Sequence, residues 1–314
     1  VGLVIDIGGR GDQSFNDSAA RGLDRAVVDF GIEPTELEPS AGGENREELL
    51  FLVSETGGAE LVFGVGFLFS DGIAAAAAAH PDVNYGLIDG FIPDLTADSN
   101  VVALSFAEHE GSFLVGAAAA LKTQTGRIGF IGGVEIDLIK KFQAGFEAGV
   151  AAIDPDIVVD IKYISQPPDF SGFNDPAKGK EIGQGQYDAG ADVVYHAAGG
   201  SGGGLFEAAK ETSEATGTQV WAIGVDSDQY LTAAADLQPY ILTSMIKRVD
   251  TSVYATIRAQ VGGTFEGGYR AFGLADEGIT YSTSGGFVDD IVDQLNALRD
   301  DIIAGTIVVP DAPA

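Results

Sequence analysis

Short apolar runs rich in β-branched residues alternate with longer amphipathic segments along almost the whole chain. The first run covers residues 3–7, and the first amphipathic segment, 15–30, has apolar positions three and four residues apart. Runs of the first kind predict strands, and segments of the second kind predict helices. Further strands are predicted at 35–38, 60–63, 84–89, 101–106, 127–131, 158–164, 192–196, 219–225 and 240–246. Further helices are predicted at 44–55, 70–79, 110–122, 138–152, 176–189, 204–216, 250–261 and 286–304.

This alternation runs to residue 106 and restarts at residue 127. Strands separated by helical crossovers form parallel sheets with helices on both faces, so two series predict an α/β protein with two doubly wound lobes. The tail is too short to fold alone and is expected to join both lobes. Lobe 1 is then residues 1–105 plus about 246–268, and lobe 2 is 106–245 plus about 269–314. Hinge strands are expected near 101–106, 241–245 and 270–273.

The charge balance narrows the possible partners. Asp and Glu total 47 against 17 Lys and Arg, a net charge of −30. Such a surface repels nucleic acid and acidic membranes. Its self-repulsion is screened in molar salt, where the Debye length is about 3 Å, so the composition favours a high-salt environment over a merely acidic secreted protein. The chain has no cysteine, which excludes disulfides, thiol catalysis and cysteine metal sites.

Candidate chemistry lies in the loops that follow the predicted strands, where open parallel sheets bind ligands. The loops 8–17, 197–204 and 226–228 are rich in Gly and Asp. The glycines at 199–204 are consistent with a tight turn, a phosphate cradle or close approach to a neutral ligand. They lack the Lys-Ser/Thr of a P-loop and the dinucleotide spacing.

The sequence contains no catalytic or metal-binding constellation. His80, His109 and His196 are its only histidines, and none has metal-ligand spacing. His109 lies between Glu108 and Glu110, which either tune its ionisation or cap a helix start. We therefore expect no cofactor, no metal and no enzymatic activity.

Aromatic residues in or beside the strand-end loops either close the edge of a core or stack on a flat ligand. Stacking on a base is worth about 1–3 kcal/mol. The residues concerned are Phe15, Phe67, Phe69, Phe91, Phe170 and Phe173.

Eight segments, in order along nearly the whole chain, resemble motifs of the basic membrane protein (PnrA-like) family of ABC-transporter substrate-binding proteins, whose characterised members bind purine and other nucleosides. The segments are DQSFN at 12–16, FAEHEGSFLVG at 106–116, GRIGFIGG at 126–133, FQAGFEAG at 142–149, NDPAKGK at 174–180, AAGG at 197–200, GVDSDQ at 224–229 and TSMIKRVD at 243–250. The resemblance implies a type I periplasmic-binding-protein fold whose two lobes, joined by a multi-strand hinge, close on a ligand in the cleft. It also implies a monomeric extracytoplasmic receptor, with a lipid anchor outside this sequence, that passes a nucleoside to ABC permease subunits.

The resemblance carries over ligand-binding residues in lobe 1. Phe15 and Asn16 would line the base pocket with Asp12 nearby, and the ring of Phe67 lies in a neighbouring strand-end loop. Asp89, which ends the segment Leu-Ile-Asp, would accept hydrogen bonds from the base or ribose edge.

In lobe 2, Phe173 aligns with the stacking aromatic of the family. The loop before it is longer than usual, so Phe170 competes for that role. Gly200, Asp226 and Lys247 would hold the ribose hydroxyls, with Lys247 paired to Asp226.

Two other classes of function stay open at this stage. One is an enzyme such as a nucleoside hydrolase or a dehydrogenase, although the acidic residues are dispersed rather than grouped in one loop. The other is a sensory domain of the same fold. The base preference is also open, because position 13 is Gln where a basic residue is common in the family.

The charge excess generates a first prediction. The melting temperature should climb steeply as KCl or NaCl rises from dilute to molar levels, because the added ions screen the repulsion among surface carboxylates. Thermal melts followed by circular dichroism measure this. A melting temperature that is flat across the salt series would show that the acid excess has another cause.

Overall fold

The computed structural model describes residues 1–40, 42–56 and 58–313 of the chain. The chain divides into two units, each built from two separate stretches of sequence. Unit 1 comprises Val1–Phe106 and Arg248–Phe272, and unit 2 comprises Ala107–Lys247 and Gly273–Ala314. The chain therefore passes from one unit to the other three times.

Unit 1 contains a six-stranded sheet in the order β11-β5-β4-β3-β1-β2, numbered along the whole chain, in which all neighbours are parallel. Its strands are β1 (Gly2–Val4), β2 (Thr35–Leu37), β3 (Leu61–Val65), β4 (Asn84–Ile88), β5 (Val101–Phe106) and β11 (Gly268–Phe272). Its helices are α1 (Phe15–Phe30), α2 (Arg46–Thr56), α3 (Ser70–Ala79) and α9 (Val249–Val261).

Unit 2 contains a second six-stranded sheet, in the order β12-β10-β9-β8-β6-β7. Its strands are β6 (Arg127–Val134), β7 (Val158–Ser165), β8 (Val193–Ala197), β9 (Trp221–Asp226), β10 (Ile241–Lys247) and β12 (Ile279–Tyr281). Its helices are α4 (Glu108–Lys122), α5 (Asp137–Ile153), α6 (Pro176–Asp188), α7 (Gly202–Thr216), α8 (Gln229–Thr232) and α10 (Val292–Ile303). Only the edge strand β12 runs antiparallel to its neighbour among the described strands.

The predicted fold class is confirmed, since each unit has a largely parallel sheet connected by helices. The expected first strand is shorter than predicted because the amide of Asp6 bonds the side chain of Asn16 instead of continuing the sheet. The short strand β12 was not predicted. The last helix begins at Val292 rather than at residue 286. Gly286 has a positive φ of 75°, outside helical geometry, and residues 287–291 form turns before the helix starts.

Each unit has an apolar core. In unit 1, side chains such as Val62 and Leu87 from the sheet pack with Phe69 and with residues of α2 and α3. In unit 2, Ile131 and Val194 pack with residues of α6 and α7. None of the helices in the described part of the chain combines the length and apolar character that crossing a bilayer requires.

Helices α4 and α5 approach each other closely because glycines face the backbone of the partner helix. A Cβ atom added at Gly149 would clash with the carbonyl oxygen of Phe113, and one added at Gly145 would clash with that of His109. Since backbone atoms cannot move as a flexible side chain does, these positions accept only glycine without separating the helices.

We expect Gly149→Ala to lower the free energy of unfolding by about 1–3 kcal/mol, the usual cost of overpacking a core. The matched control is Gly185→Ala in α6, where nothing lies within 4 Å of the added Cβ. There the substitution should stabilise by about 0.4–1 kcal/mol, because alanine restricts the unfolded chain. Denaturant unfolding of both variants measures the contrast, and equal stabilities would contradict the close packing.

Candidate functional site

The loop between β1 and α1 is organised by the carboxylate of Asp12. Its Oδ1 accepts the N–H groups of Ser14 at 2.9 Å and Asp17 at 3.0 Å, and its Oδ2 accepts that of Asn16 at 2.8 Å. Burial raises the pKa of Asp12 to about 6, against the opposing effect of these three donors. Asp12 thus caps the start of α1 and fixes the backbone that carries Phe15 and Asn16.

The amide of Asn16 ties this helix start to the end of β1. Its Oδ1 accepts the N–H of Asp6 at 3.2 Å, and its Nδ2 donates to the Asp6 carbonyl at 3.4 Å. The Asp6 carboxylate in turn accepts Nη2 of Arg46 at 2.6 Å and Nε at 2.9 Å. Asn16 is buried, so the first turn of α1 is held rigidly at the carboxyl edge of the unit 1 sheet.

The aromatic candidates of unit 1 occupy different environments. Phe69 is fully buried and belongs to the core, so it closes the edge of that core. Phe67 is half-buried at the start of a single 3-10 turn after β3, and Phe15 is half-buried at the start of α1. Phe91 is 69 % exposed and stacks on Tyr269 with ring centroids 5.8 Å apart.

Two of the candidate aspartates hold left-handed backbone conformations at strand ends. Asp89 directly follows β4 with φ 62°, and Asp226 ends β9 with φ 63°. Few residues other than glycine adopt this conformation, and such strained positions cluster at ligand sites. In each unit, the conformation turns the chain sharply at the carboxyl edge of the sheet with a carboxylate at the corner.

Gly200 lies in a 3-10 turn, Gly199–Ser201, that leads into α7. The hydroxyl of Ser201 donates to the Gly172 carbonyl at 2.7 Å and accepts the N–H of Asp175 at 2.7 Å. It therefore joins this turn to the loop that carries Phe173. The sequence analysis did not predict this role of Ser201. Its position inside the glycine-rich loop could have indicated it, because a hydroxyl there can bond to neighbouring backbone groups and hold the loop.

Phe170 and Phe173 are both half-buried. The ring of Phe173 packs against the backbone of Gly133, where an added Cβ would lie 2.6 Å from Cδ1 of the ring. Gly133 therefore provides the space that this ring occupies.

Lys247 ends β10 and is buried in unit 2 together with a carboxylate. Its Nζ lies 3.0 Å from Oε1 of Glu108, and both residues are only 1 % exposed. The ammonium also lies 5.7 Å from the ring centroid of Phe142. Asp226 pairs in register with Ile246, so Asp226 and Lys247 lie at the same end of the sheet. The sequence interpretation considered Glu108 only as a neighbour of His109 and missed this ion pair.

His196 is a buried structural residue. Its Nε2 lies 2.9 Å from Oε1 of Gln229, and the same oxygen accepts the N–H of Val225 at 2.8 Å. Burial lowers the pKa of His196 to about 4, so the imidazole is neutral at pH 7. The bond links the ends of β8 and β9, which carry the Gly200 and Asp226 loops.

The chemistry of these loops is that of hydrogen bonding and stacking. Within the residues that the structure describes, no three His, Cys, Asp or Glu side chains come together as metal ligands. Unit 1 supplies an acceptor at Asp89 and half-buried rings at Phe15 and Phe67. Unit 2 supplies an acceptor at Asp226, an ammonium at Lys247 and half-buried rings at Phe170 and Phe173.

A comparison with known families matches nearly the whole chain to one family model. The Bmp model, described as ABC transporter substrate-binding protein PnrA-like, matches residues 1–312. The ABC transporter nucleoside-binding protein BmpA of Lactococcus lactis subsp. cremoris is 35% identical in an alignment 327 residues long. The alignment covers 98% of this chain and 88% of the relative. Basic membrane protein A of Borreliella burgdorferi is 32% identical over 313 residues, which cover 99% and 87%.

Solved structures agree with these relatives. An ABC transporter solute-binding protein from Aeropyrum pernix K1 superposes with a TM-score of 0.84 at 29% identity, covering 98% of this chain and 93% of that protein. A sugar-binding protein of an ABC transporter from Bacillus halodurans superposes with a TM-score of 0.64 at 14% identity, covering 94% and 99%, and shares the fold.

The buried imidazole makes stability depend on pH. The pKa of His196 is near 6.5 in the unfolded chain. Between pH 6.5 and 4 the unfolded state therefore binds a proton that the folded state does not bind. This contribution is complete above pH 6.5 and is lost as the pH falls toward 4, by up to about 1.4 kcal/mol per pH unit. His196→Gln should flatten the pH dependence of the unfolding free energy in this window, measured by denaturant titration at constant salt. His80→Gln at the end of α3 is the control, and a wild-type slope in His196→Gln would refute the assignment.

Proposed function

The chain belongs to the Bmp family, the PnrA-like substrate-binding proteins of ABC transporters, and from this premise we propose that it captures a nucleoside, with purines favoured, and delivers it to the permease of an ABC importer. Loops at the carboxyl edges of the two sheets would supply the ligand contacts. The relative from Lactococcus lactis is named a nucleoside-binding protein, which supports this ligand class.

The observation that carries the proposal is the pair of corner aspartates. Asp89 in unit 1 and Asp226 in unit 2 each hold a carboxylate at a strand end in left-handed backbone geometry. A carboxylate accepts hydrogen bonds from base N–H groups and from ribose hydroxyls, and bonds to a charged group are worth about 1.5–3 kcal/mol. We assign Asp89 to the base or ribose edge and Asp226, with Gly200 and Lys247, to the ribose.

The half-buried rings suit the base. Phe15 stands at the start of α1, whose first turn is fixed by Asp12 and Asn16. Phe173 stands in the loop that Ser201 holds. Rings on well-fixed loops can stack on a planar base with little loss of side-chain freedom, and we assign this role to Phe15 and Phe173, with Phe67 beside the pocket.

The charges favour a neutral ligand over a nucleotide. Asp89 and Asp226 would repel a phosphate, and the ammonium of Lys247 is already matched by Glu108 at 3.0 Å. The net charge of −30 adds to that repulsion. A nucleoside has the same base and sugar without the anionic group.

We also propose where the protein acts and its oligomeric state. As a receptor of an importer, the protein would work outside the cytoplasmic membrane as a monomer, held to the outer face by a lipid anchor. Its acid excess would suit a surrounding solution of high salt.

Calorimetric titration in multimolar salt tests the ligand class. We expect inosine, guanosine or adenosine to bind, and the corresponding monophosphates and ribose to bind far more weakly. Asp226→Asn should reduce nucleoside affinity at least tenfold, because asparagine tolerates the left-handed backbone but lacks the charge, and about 1.4 kcal/mol corresponds to that factor.

The matched control is Asp236→Asn, an exposed aspartate paired with Lys210 in the same unit. It should bind like the wild type. Tight nucleotide binding with no response to nucleosides would overturn the proposal. Release of free base during incubation, followed by chromatography, would instead support the hydrolase alternative.

A further inference from the structure

The chain passes between the units at three places. On the unit 2 side, all three lie near the same helical turn. The crossings fall between Phe106 and Ala107, between Lys247 and Arg248, and between Phe272 and Gly273. Helix α4 begins at Glu108, directly after the first crossing. Its first turn is Glu108–Gly111. Three residues of that turn contact residues that lie shortly before the second crossing or shortly after the third.

Glu108 holds the second crossing. It forms the buried ion pair with Lys247, the last residue of unit 2 before the chain passes to unit 1. Both residues are only 1 % exposed, so neither charged group can exchange its partner for water. Breaking a buried pair from one side is strongly destabilising, because the remaining charge is left without compensation.

Glu110 holds the third crossing. Its Oε2 accepts the N–H of Leu274 at 2.9 Å, and Leu274 is the second residue after the chain returns to unit 2. A Cβ added at Gly273 would lie 2.9 Å from the same oxygen. The chain therefore passes close over the carboxylate at this point.

Gly111 seats the turn on the sheet. A Cβ at this position would lie 2.8 Å from Cγ of Met245 in β10 and would clash with the side chain of Ile279 in β12. Lys247 and Ile279 are partners in the antiparallel pairing of those two strands. The end of β10 and the segment after the third crossing are therefore joined to each other and to α4.

We propose that this turn is the anchor of all three crossings, with Glu108 and Glu110 acting as positioning residues for ligand capture. This inference rests on the proposed function, in which loops from both units contact one ligand. The crossings are the covalent connections between the units, so their freedom limits how reproducibly the loops meet that ligand. Glu108 additionally fixes the ammonium of Lys247 before ligand arrives, and such preorganisation lowers the entropy cost of binding.

Glu110 gives the cleanest test because its bond is to a backbone amide. Glu110→Ala leaves that amide without its acceptor and should weaken nucleoside binding about fivefold or more. Glu110→Gln keeps an oxygen acceptor in place and should bind within about twofold of the wild type. Glu181→Ala, an exposed glutamate paired with Lys178, is the control for loss of one carboxylate.

Glu108→Asp tests the second contact, since it keeps the charge but shortens the side chain by one methylene. It should reduce affinity about tenfold while the protein remains folded, whereas Glu108→Gln risks unfolding unit 2. Affinities are measured by calorimetry at 25 °C, where circular dichroism shows each variant to be folded, and melting temperatures are recorded alongside. A lowered melting temperature with wild-type affinity in Glu110→Ala and Glu108→Asp would overturn the proposal.

Hydrogen exchange of the ligand-free protein separates this inference from the proposed function. Glu110→Ala should speed exchange in the segment 273–281 and at the end of β10, and Glu110→Gln should not. If wild-type protein binds no nucleoside, the proposed function fails, and the exchange result still decides whether the turn anchors the crossings. Unchanged exchange in Glu110→Ala would refute the anchor.

Discussion

Every candidate ligand residue of this protein depends on the direction of the strands. Neighbouring strands run parallel in both sheets except at β12, so successive strands end at one edge. Helices cover the two faces, and the carboxyl edge is where the backbone leaves the sheet and can present polar groups. Asp89 and Asp226 turn the chain at these edges in left-handed conformations. The parallel arrangement thus places polar side chains, which the apolar cores exclude, together in the few loops at the carboxyl edge of each sheet.

Charge is handled differently at the surface and in the loops. The acid excess of the chain is a property of the whole surface, where salt screens it within a few ångströms. The buried and half-buried carboxylates are instead satisfied one by one. Asp12 accepts three backbone N–H groups, Asp6 pairs with Arg46, and Glu108 pairs with Lys247. Buried pairs are screened far less than exposed ones, so salt that screens the surface charges leaves the contacts that hold the loops largely unchanged.

The sequence predicted what local patterns encode. Helix α1 was placed at its observed bounds because its apolar positions repeat with helical spacing, and the two strand–helix series predicted the two sheets. Strand β12 was missed because it follows β11 with no helix between them, outside the strand–helix alternation on which the prediction rested. The ion pair between Lys247 and Glu108 was missed for another reason, since the two residues lie 139 residues apart in sequence and no local pattern joins them. Such contacts are decided by topology, which brings the start of α4 against the end of β10.

The same topology explains why a charged pair, Glu108 and Lys247, occupies a buried position that two apolar side chains could also fill. A buried ion pair contributes little net stability compared with apolar residues of similar volume. What Glu108 and Lys247 provide is direction, because two apolar side chains can slide past each other whereas a 3.0 Å ion pair holds one geometry. Glu110 acts in the same way on the Leu274 amide, and Gly111 lets the same turn pack closely on β10 and β12. A turn that must hold three chain segments at once needs contacts that specify position, and these residue types supply them.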